Sequence, residues 1–427
     1  MSGPEDTTES KDPEEKPAPV PLLTLRDGLP GVIERTPDLE AVAEQFAAGS
    51  GPVAIDAERA SGYRYSSRAY LIQLRREGAG TALVDPTAFD DLAPLAEALD
   101  GVEWILHAAT QDLACLAEVG LRPSSLFDTE LAGRLLGYPR VGLATLVETA
   151  LGHHLRKEHS AADWSKRPLP ESWLEYAALD VEPLGELREA MATELVESGK
   201  DEWARQEFEH LLDFTPTQRA EPWRRTSQVH KIRNRRALAA VRALWGARDR
   251  IAAERDITPG RILPDSAIIA AATAMPSSRR ALLGLKDFNG RGASRHATAW
   301  LEAIQEARDL DEADLPRRAA RHDGPPPPRA WADKDPRAGR RLAHSKQAMA
   351  DLSEALHVPV ENLVTPDSLR RVLWTPPATR DPEPLLSDAA GMLSDLGARP
   401  WQVELVAPVV RDATLAGDQE PDVPEAD

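Results

Sequence analysis

The chain has 427 residues, a formal net charge of −19 and a single cysteine, Cys115. That length suits two or three compact units with linkers. One cysteine excludes internal disulfides and cysteine-based zinc sites, and no apolar run approaches the ~20 residues of a membrane span. The charge argues against an indiscriminate polyanion binder. Yet both ends of the chain are acidic while residues 223–261 are rich in arginine, so a nucleic-acid partner stays open.

The first segment, residues 1–25, is acidic and proline-rich without the basic start and apolar run of a secretion signal. It is expected to be a disordered tail on a cytoplasmic protein. Residues 26–215 mix strands and helices. Short apolar runs at Val53–Ile55, Ala69–Leu74, Ala82–Val84 and Trp104–Leu106 read as strands, with helical spacing over Asp91–Leu99. The short loops between the first three strands predict an antiparallel meander, and the later strand–helix alternation predicts parallel additions to it. From residue 222 to 310 the pattern is helical. Lys231–Glu254 makes a long arginine- and alanine-rich helix, and Asp265 is positioned to cap a helix running to Met275. Shorter helices follow at Ser277–Leu283 and Ser294–Ala307. Residues 323–338 contain four consecutive prolines and read as a linker. Helical spacing returns over 339–412, and 413–427 forms a second acidic tail.

Several carboxylates stand out against this layout. Asp56 and Glu58 end the first strand in VAIDAE, and a period of two puts both on one face. There they repel each other unless a cation lies between them; a solvated strand end is the ordinary alternative for a lone D-x-E. Asp112 lies at the start of the helix after WILHA, where capping and the helix dipole normally explain an acid, although Thr110 is an equally good cap. Tyr176 and Asp180, in WLEYAALD, stack phenol on carboxylate along one helix face, which is also what an ordinary intrahelical contact looks like.

Taken in order, a D-x-E closing a first strand, H-x4-D at a strand–helix junction and Y-x3-D on a later helix resemble the three motifs of the DEDD exonuclease superfamily, in its tyrosine subgroup. LIQL in the second strand, VDP in the third, FDT at 127–129 and DWSKRPLPESWLEYAALDVEPL at 163–184 resemble the ribonuclease D family. The resemblance covers roughly residues 50–215 and implies a ribonuclease H-like mixed sheet. It also implies two Mg²⁺ or Mn²⁺ ions, in keeping with an all-oxygen ligand set. By the resemblance Asp56 bridges both ions. Glu58 and Asp180 complete the ion that carries the nucleophile, Asp112 holds the second, and Tyr176 orients the attacking water. His107 is placed to face the terminal nucleotide or to be a satisfied sheet-end histidine, and Lys166 and Arg167 to contact phosphate or be solvated. The first motif departs from the family at Ala57 and Arg59, where a small polar residue and an aromatic are usual. Tyr63, Tyr65 and Tyr70 are the nearby aromatics that could stack the terminal base instead, packing being their other role.

Residues 222–310 resemble the HRDC module, through the long basic helix, ITPGRILPDSAIIAAA and GLKDFNGRGASRHATAWLEAI. Arg233, Arg235, Arg236 and Arg242 become candidate phosphate contacts, while Arg248, Arg250 and Arg255 read as a solvated face. VPVENLVTPDSL parallels ITPGRILPDSAI, which makes 339–412 a second HRDC-like copy, so the fold class is α/β followed by all-α HRDC-type bundles. The expected function is a 3′→5′ exoribonuclease that releases nucleoside 5′-monophosphates from RNA with a free 3′ end, tRNA precursors above all. It would act as a monomer without ATP, since no phosphate-binding loop is present. Single-stranded DNA as substrate and a non-catalytic RNA scaffold are the competing readings.

Overall fold

The computed structural model describes residues 20–156, 161–288, 290–318 and 324–419. Six strands form one sheet: β1 (Val32–Ile33), β2 (Ser50–Arg59), β3 (Ala69–Glu77), β4 (Gly80–Val84), β5 (Glu103–Leu106) and β6 (Ser125–Asp128). Their order is β1-β4-β3-β2-β5-β6. β2, β3 and β4 pair antiparallel, while β5 joins β2, β6 joins β5 and β1 joins β4 in parallel. This is the predicted meander with parallel additions. β1, with two residues too short to show a period, and β6 escaped the sequence reading.

The helices used below are α1 (Thr36–Ala48), α2 (Leu113–Glu118), α3 (Thr129–Leu136), α4 (Glu171–Val181), α5 (Leu184–Glu197), α6 (Asp201–Leu212), α7 (Arg235–Arg255), α8 (Asp265–Ala274), α9 (Ala297–Asp309), α10 (Pro336–Leu356), α11 (Pro366–Trp374), α12 (Pro382–Asp395) and α13 (Pro400–Gln419). α4 buries Ala177 and Ala178 against Leu71 and Leu83 of the sheet. Its small residues let the helix axis approach the strands closely, and that sets the depth at which Tyr176 and Asp180 emerge.

The bundle built on α7, α8 and α9 has its own core around Leu244, Ile268, Trp300 and Ile304. The bundle of α10–α13 instead shares a continuous apolar core with the sheet unit, from Ile33 through Phe208 to Ala413. Trp401 stacks on Trp203 with centroids 4.8 Å apart and donates its indole N–H to Glu207, which also accepts from Arg399. Lys200 Nζ donates to Leu135 O and Leu356 O, each at 2.7 Å, tying α3 to the end of α10. No helix among the described residues is long and apolar enough to cross a membrane.

Several expected boundaries move. The N-terminal tail does not extend to residue 25: Leu23 is buried, and its N–H donates to His154 O. Of the stretch 323–338, Trp331 is fully buried and α10 begins at Pro336, because the indole and Ala338 supply apolar surface that a linker would waste. α13 runs on to Gln419, past the expected break at 412. Gly417 there lies so close to Arg341 that an added Cβ would sit 2.7 Å from its backbone nitrogen, and Asp418 pairs with Arg341 and Arg380. Residues 1–19 and 420–427 of the two tails lie outside the described residues. Asp265 is the first residue of α8 rather than its cap, and its carboxylate accepts from Arg248 and from Ser227 N–H. Arg248 is correspondingly buried, not solvated.

Candidate active site

Asp56 and Glu58 lie opposite Gln73 and Leu71 of β3, and the register then slips, so that Arg59 lies opposite Ala69. Such irregularities re-aim side chains next to active sites. Here the guanidinium of Arg59 reaches Asp112 Oδ1 at 3.3 Å.

Asp112 is carried by the connection after β5. Ala108 adopts the left-handed conformation (φ 60°, ψ 54°), a short 3₁₀ turn covers 109–111, and Asp112 occupies the N-cap position of α2. Its side chain makes no capping bond. The ordinary explanation for an acid at a helix start therefore fails. The carboxyl instead shares a hydrogen bond with Asp56. Thr110 lies within the 3₁₀ turn and is no cap either. The whole connection hangs on Asp128, a buried carboxylate at the end of β6. It accepts from Ala108 N–H (3.1 Å) and Ala109 N–H (2.8 Å) while capping α3 through Glu130 and Leu131. In sequence Asp128 is only the middle of the FDT motif; its place before Thr129 at a helix start is the signal that marks it as a cap.

The carboxylates of Asp56, Glu58 and Asp180 offer ligand oxygens that all lie within 4.8 Å of one another. They line a cleft of about 240 Å³ together with Asp112, Arg59, His107 and Tyr176. Burial pushes the Glu58 carboxyl up to about 10, helped by the charges of Asp56, Asp180 and Asp112 and opposed by Arg59. Burial likewise raises Asp56, Asp112 and Asp180. Like charges this close, removed from water, cannot all ionise unless a cation compensates them. An all-carboxylate donor set of this kind fits a hard divalent ion and no thiol-loving one. Tyr176 donates to Asp180, one turn away on α4, and burial plus the Asp180 and Glu58 charges drive its phenol upward, so it stays a protonated donor. Cys115 is no competing nucleophile: burial and Asp112 raise its thiol to about 12.

The expected contacts for nucleic acid fare differently. His107 lines the cleft; burial lowers it to about 4 and its Nδ1 lies 2.9 Å from Thr129 Oγ1, so a neutral ring faces the acids. Lys166 is exposed. Arg167 is structural: it pairs with buried Asp85 and donates to Tyr70 O and Trp164 O. Burial pushes the Asp85 carboxyl up, but the hydrogen bonds from Arg167 and Thr87 outweigh it and hold it below the usual carboxylate value. A depressed acid stabilises the fold at pH above its unfolded value of about 3.9, and that stabilisation fades as pH falls through the lower folded value. Arg167→Ala is therefore expected to lower stability by about 3 kcal/mol at pH 7. The gap from wild type should narrow below pH 4, as read by thermal melts across pH.

Arg235 and Arg236 begin α7, where the helix dipole disfavours cations. Both are neutralised internally. Arg236 donates to Ala307 O, Arg308 O and Leu310 O at the end of α9, and Arg235 to Leu315 O, Pro316 O and Glu312 O. Their donors are spent on the fold; Arg233 is exposed and Arg242 half-buried. The three tyrosines considered for base stacking hold the α7–α9 bundle instead. Tyr65 donates to Asp249, Tyr70 to Asp256, and Tyr63 lies under the Arg261 guanidinium at 4.2 Å.

Comparison with known proteins agrees with this architecture. The 3′–5′ exonuclease domain family matches residues 31–196, the HRDC domain family 237–304, and the 3′ to 5′ exonuclease C-terminal domain family 324–414. The chain is 33% identical to ribonuclease D of Gluconacetobacter diazotrophicus over 73% of its own length and 77% of the relative's. With ribonuclease D of Acidiphilium cryptum the identity is 32%, over 80% and 86%. A crystal structure of a protein from Bifidobacterium adolescentis superposes with a TM-score of 0.85 and 38% identity, covering 93% of this chain and 100% of that one. That of Escherichia coli RNase D, described as an exoribonuclease involved in structured RNA processing, gives 0.66 and 27%, covering 90% and 98%.

Proposed function

The chain belongs to the ribonuclease D family, and from that premise we propose that it is a 3′→5′ exoribonuclease. It trims RNA with a free 3′ end, tRNA precursors foremost, and acts as a monomer. The observation that carries this reading is the acidic cleft. Three carboxylates converge within 4.8 Å on the face where β2 meets α4, with Asp112 delivered beside Asp56 at a helix start that its side chain does not cap.

Asp56, Glu58 and Asp180 would hold one divalent ion, Mg²⁺ or Mn²⁺, and Asp56 with Asp112 a second. Bound there, such ions supply an activated water and charge neutralisation at the phosphodiester. The protein's own groups do the rest. Tyr176, kept protonated, is a hydrogen-bond donor that fixes Asp180 and can orient a water molecule; it is no base at neutral pH. Arg59, already against Asp112, brings a fixed cation to the cleft edge where the chain departs from its family's aromatic. His107, neutral and oriented by Thr129, presents a polar ring to the terminal nucleotide without adding charge.

Digesting end-labelled RNA and DNA of one sequence in parallel tests the substrate, because only RNA offers 2′-hydroxyls. RNA is expected to shorten stepwise from its 3′ end and faster than the DNA. Preferential digestion of the DNA would sink the reading.

A further inference from the structure

A second concave site lies where the α7–α9 bundle docks on the sheet unit. β2 ends in a tight turn in which the backbone N–H groups of Tyr63 and Arg64 both donate to Ala60 O at 2.8 Å, and the loop that follows is clamped to the bundle. Asp256 accepts from Tyr65 N–H and Ser66 N–H, and Thr258 N–H donates to Tyr63 O. Between the two units this leaves a cleft of about 390 Å³ into which Arg64, Arg255, Arg261, Arg295 and His296 converge.

Four guanidiniums from separate elements line this one cleft; Arg255, Arg261 and Arg295 are solvent-exposed there and Arg64 is half-buried. Arg64 is partly answered, by Ser165 and at 4.0 Å by Asp256. Arg255, Arg261 and Arg295 pair with no carboxylate among the described residues. Asp163 is the one acid lining the cleft, and it already accepts from Ser165. Burial, then Arg255 and Arg295, lowers the His296 imidazole below its ordinary value. The Tyr63 ring holds the Arg261 guanidinium in place, which reduces the ordering needed on binding. The sequence puts Arg255 on a solvated helix face; the structure keeps it exposed and places it at the end of α7, lining this cleft.

We propose that this junction is a phosphate-binding site that grips the RNA backbone upstream of the 3′ end being trimmed. The inference rests on the exoribonuclease reading. Its location supports it: Arg64 follows Glu58 by six residues, a reach of at most ~20 Å, so both sites lie along a few nucleotides of one strand.

The test uses the full chain carrying Asp56→Asn, so that RNA is bound and not consumed, and a 20-nucleotide single-stranded RNA. Adding R255A/R295A is expected to weaken binding about tenfold or more and to lower the slope of log K against log salt by about 1.4, the share of two single-strand phosphate contacts. R255K/R295K, which keeps both charges, should recover most of the affinity. Arg250→Ala, an exposed charge on the same helix outside the cleft, serves as the reference. If R255A/R295A weakens binding no more than Arg250→Ala, or if lysines recover nothing, the site is overturned. Wild type that leaves RNA undigested would refute the exoribonuclease reading instead, and the binding comparison would still report on the cleft.

Discussion

Asp56→Asn in the full chain is expected to lower kcat for RNA hydrolysis by at least ~10³-fold, about 4 kcal/mol of transition-state stabilisation. Affinity for a 3′-ended RNA should change little. Asp56 is the carboxylate that acts on the other three: it hydrogen-bonds Asp112, and its charge raises Glu58 and Asp180. An amide keeps the volume and one acceptor but removes the charge that draws a cation. The same substitution should not lower the melting temperature in EDTA, since it takes one buried negative charge out of a self-repelling cluster. Loss of activity with undiminished metal-free stability separates a ligand role from a structural one. A melting temperature that falls together with activity would count against a ligand role.

Asp128→Ala should be the most damaging change outside the cleft. Its carboxylate satisfies four backbone N–H groups, two in the connection that precedes Asp112 and two at the start of α3. Truncation leaves buried donors unpaired at about 1–3 kcal/mol each and removes a helix cap. Relaxation recovers part of that, so a loss of about 3–5 kcal/mol is expected in denaturant unfolding. The left-handed Ala108 turn then loses its anchor and Asp112 its placement, for which a further ~10²-fold loss in kcat is expected in the fraction that remains folded. Asp128→Asn keeps the oxygen facing Ala108, Glu130 and Leu131 but turns an amide N–H₂ toward Ala109. It should fall between wild type and alanine in both readouts, and equal effects of the two substitutions would refute the anchoring role.

The carboxylates that meet in the cleft could be read from the chain because each motif combines a residue type with a local address: strand end, helix start, helix face. Those addresses are set by periods of two and 3.6, which a sequence displays directly. What decided the arginines and tyrosines was not local. Tyr65 meets Asp249 across 184 positions, and Arg236 meets the α9 carbonyls more than 70 positions away. A long side chain looks the same in sequence whether it caps a distant helix or waits for a phosphate. Two clues were available for part of this. Cations in the first turn of α7 oppose the helix dipole, so Arg235 and Arg236 needed a compensating partner. Asp265, read as a cap, followed Pro264, which fixes the N-cap backbone and left the carboxylate free to bind Arg248. The merging of the α10–α13 bundle with the sheet core was invisible for the same reason: Trp401, Trp203 and Glu207 each look like ordinary helix residues until they meet.

The claim that four carboxylates make one cation-dependent site is tested most directly by a single time course. A 5′-labelled RNA is incubated with the wild-type chain in EDTA, and Mg²⁺ or Mn²⁺ is then added back in excess. The expected result is silence in EDTA, followed by a ladder that shortens one nucleotide at a time from the 3′ end once the ion is restored. Cleavage that persists in EDTA, or internal fragments in place of the ladder, would contradict it.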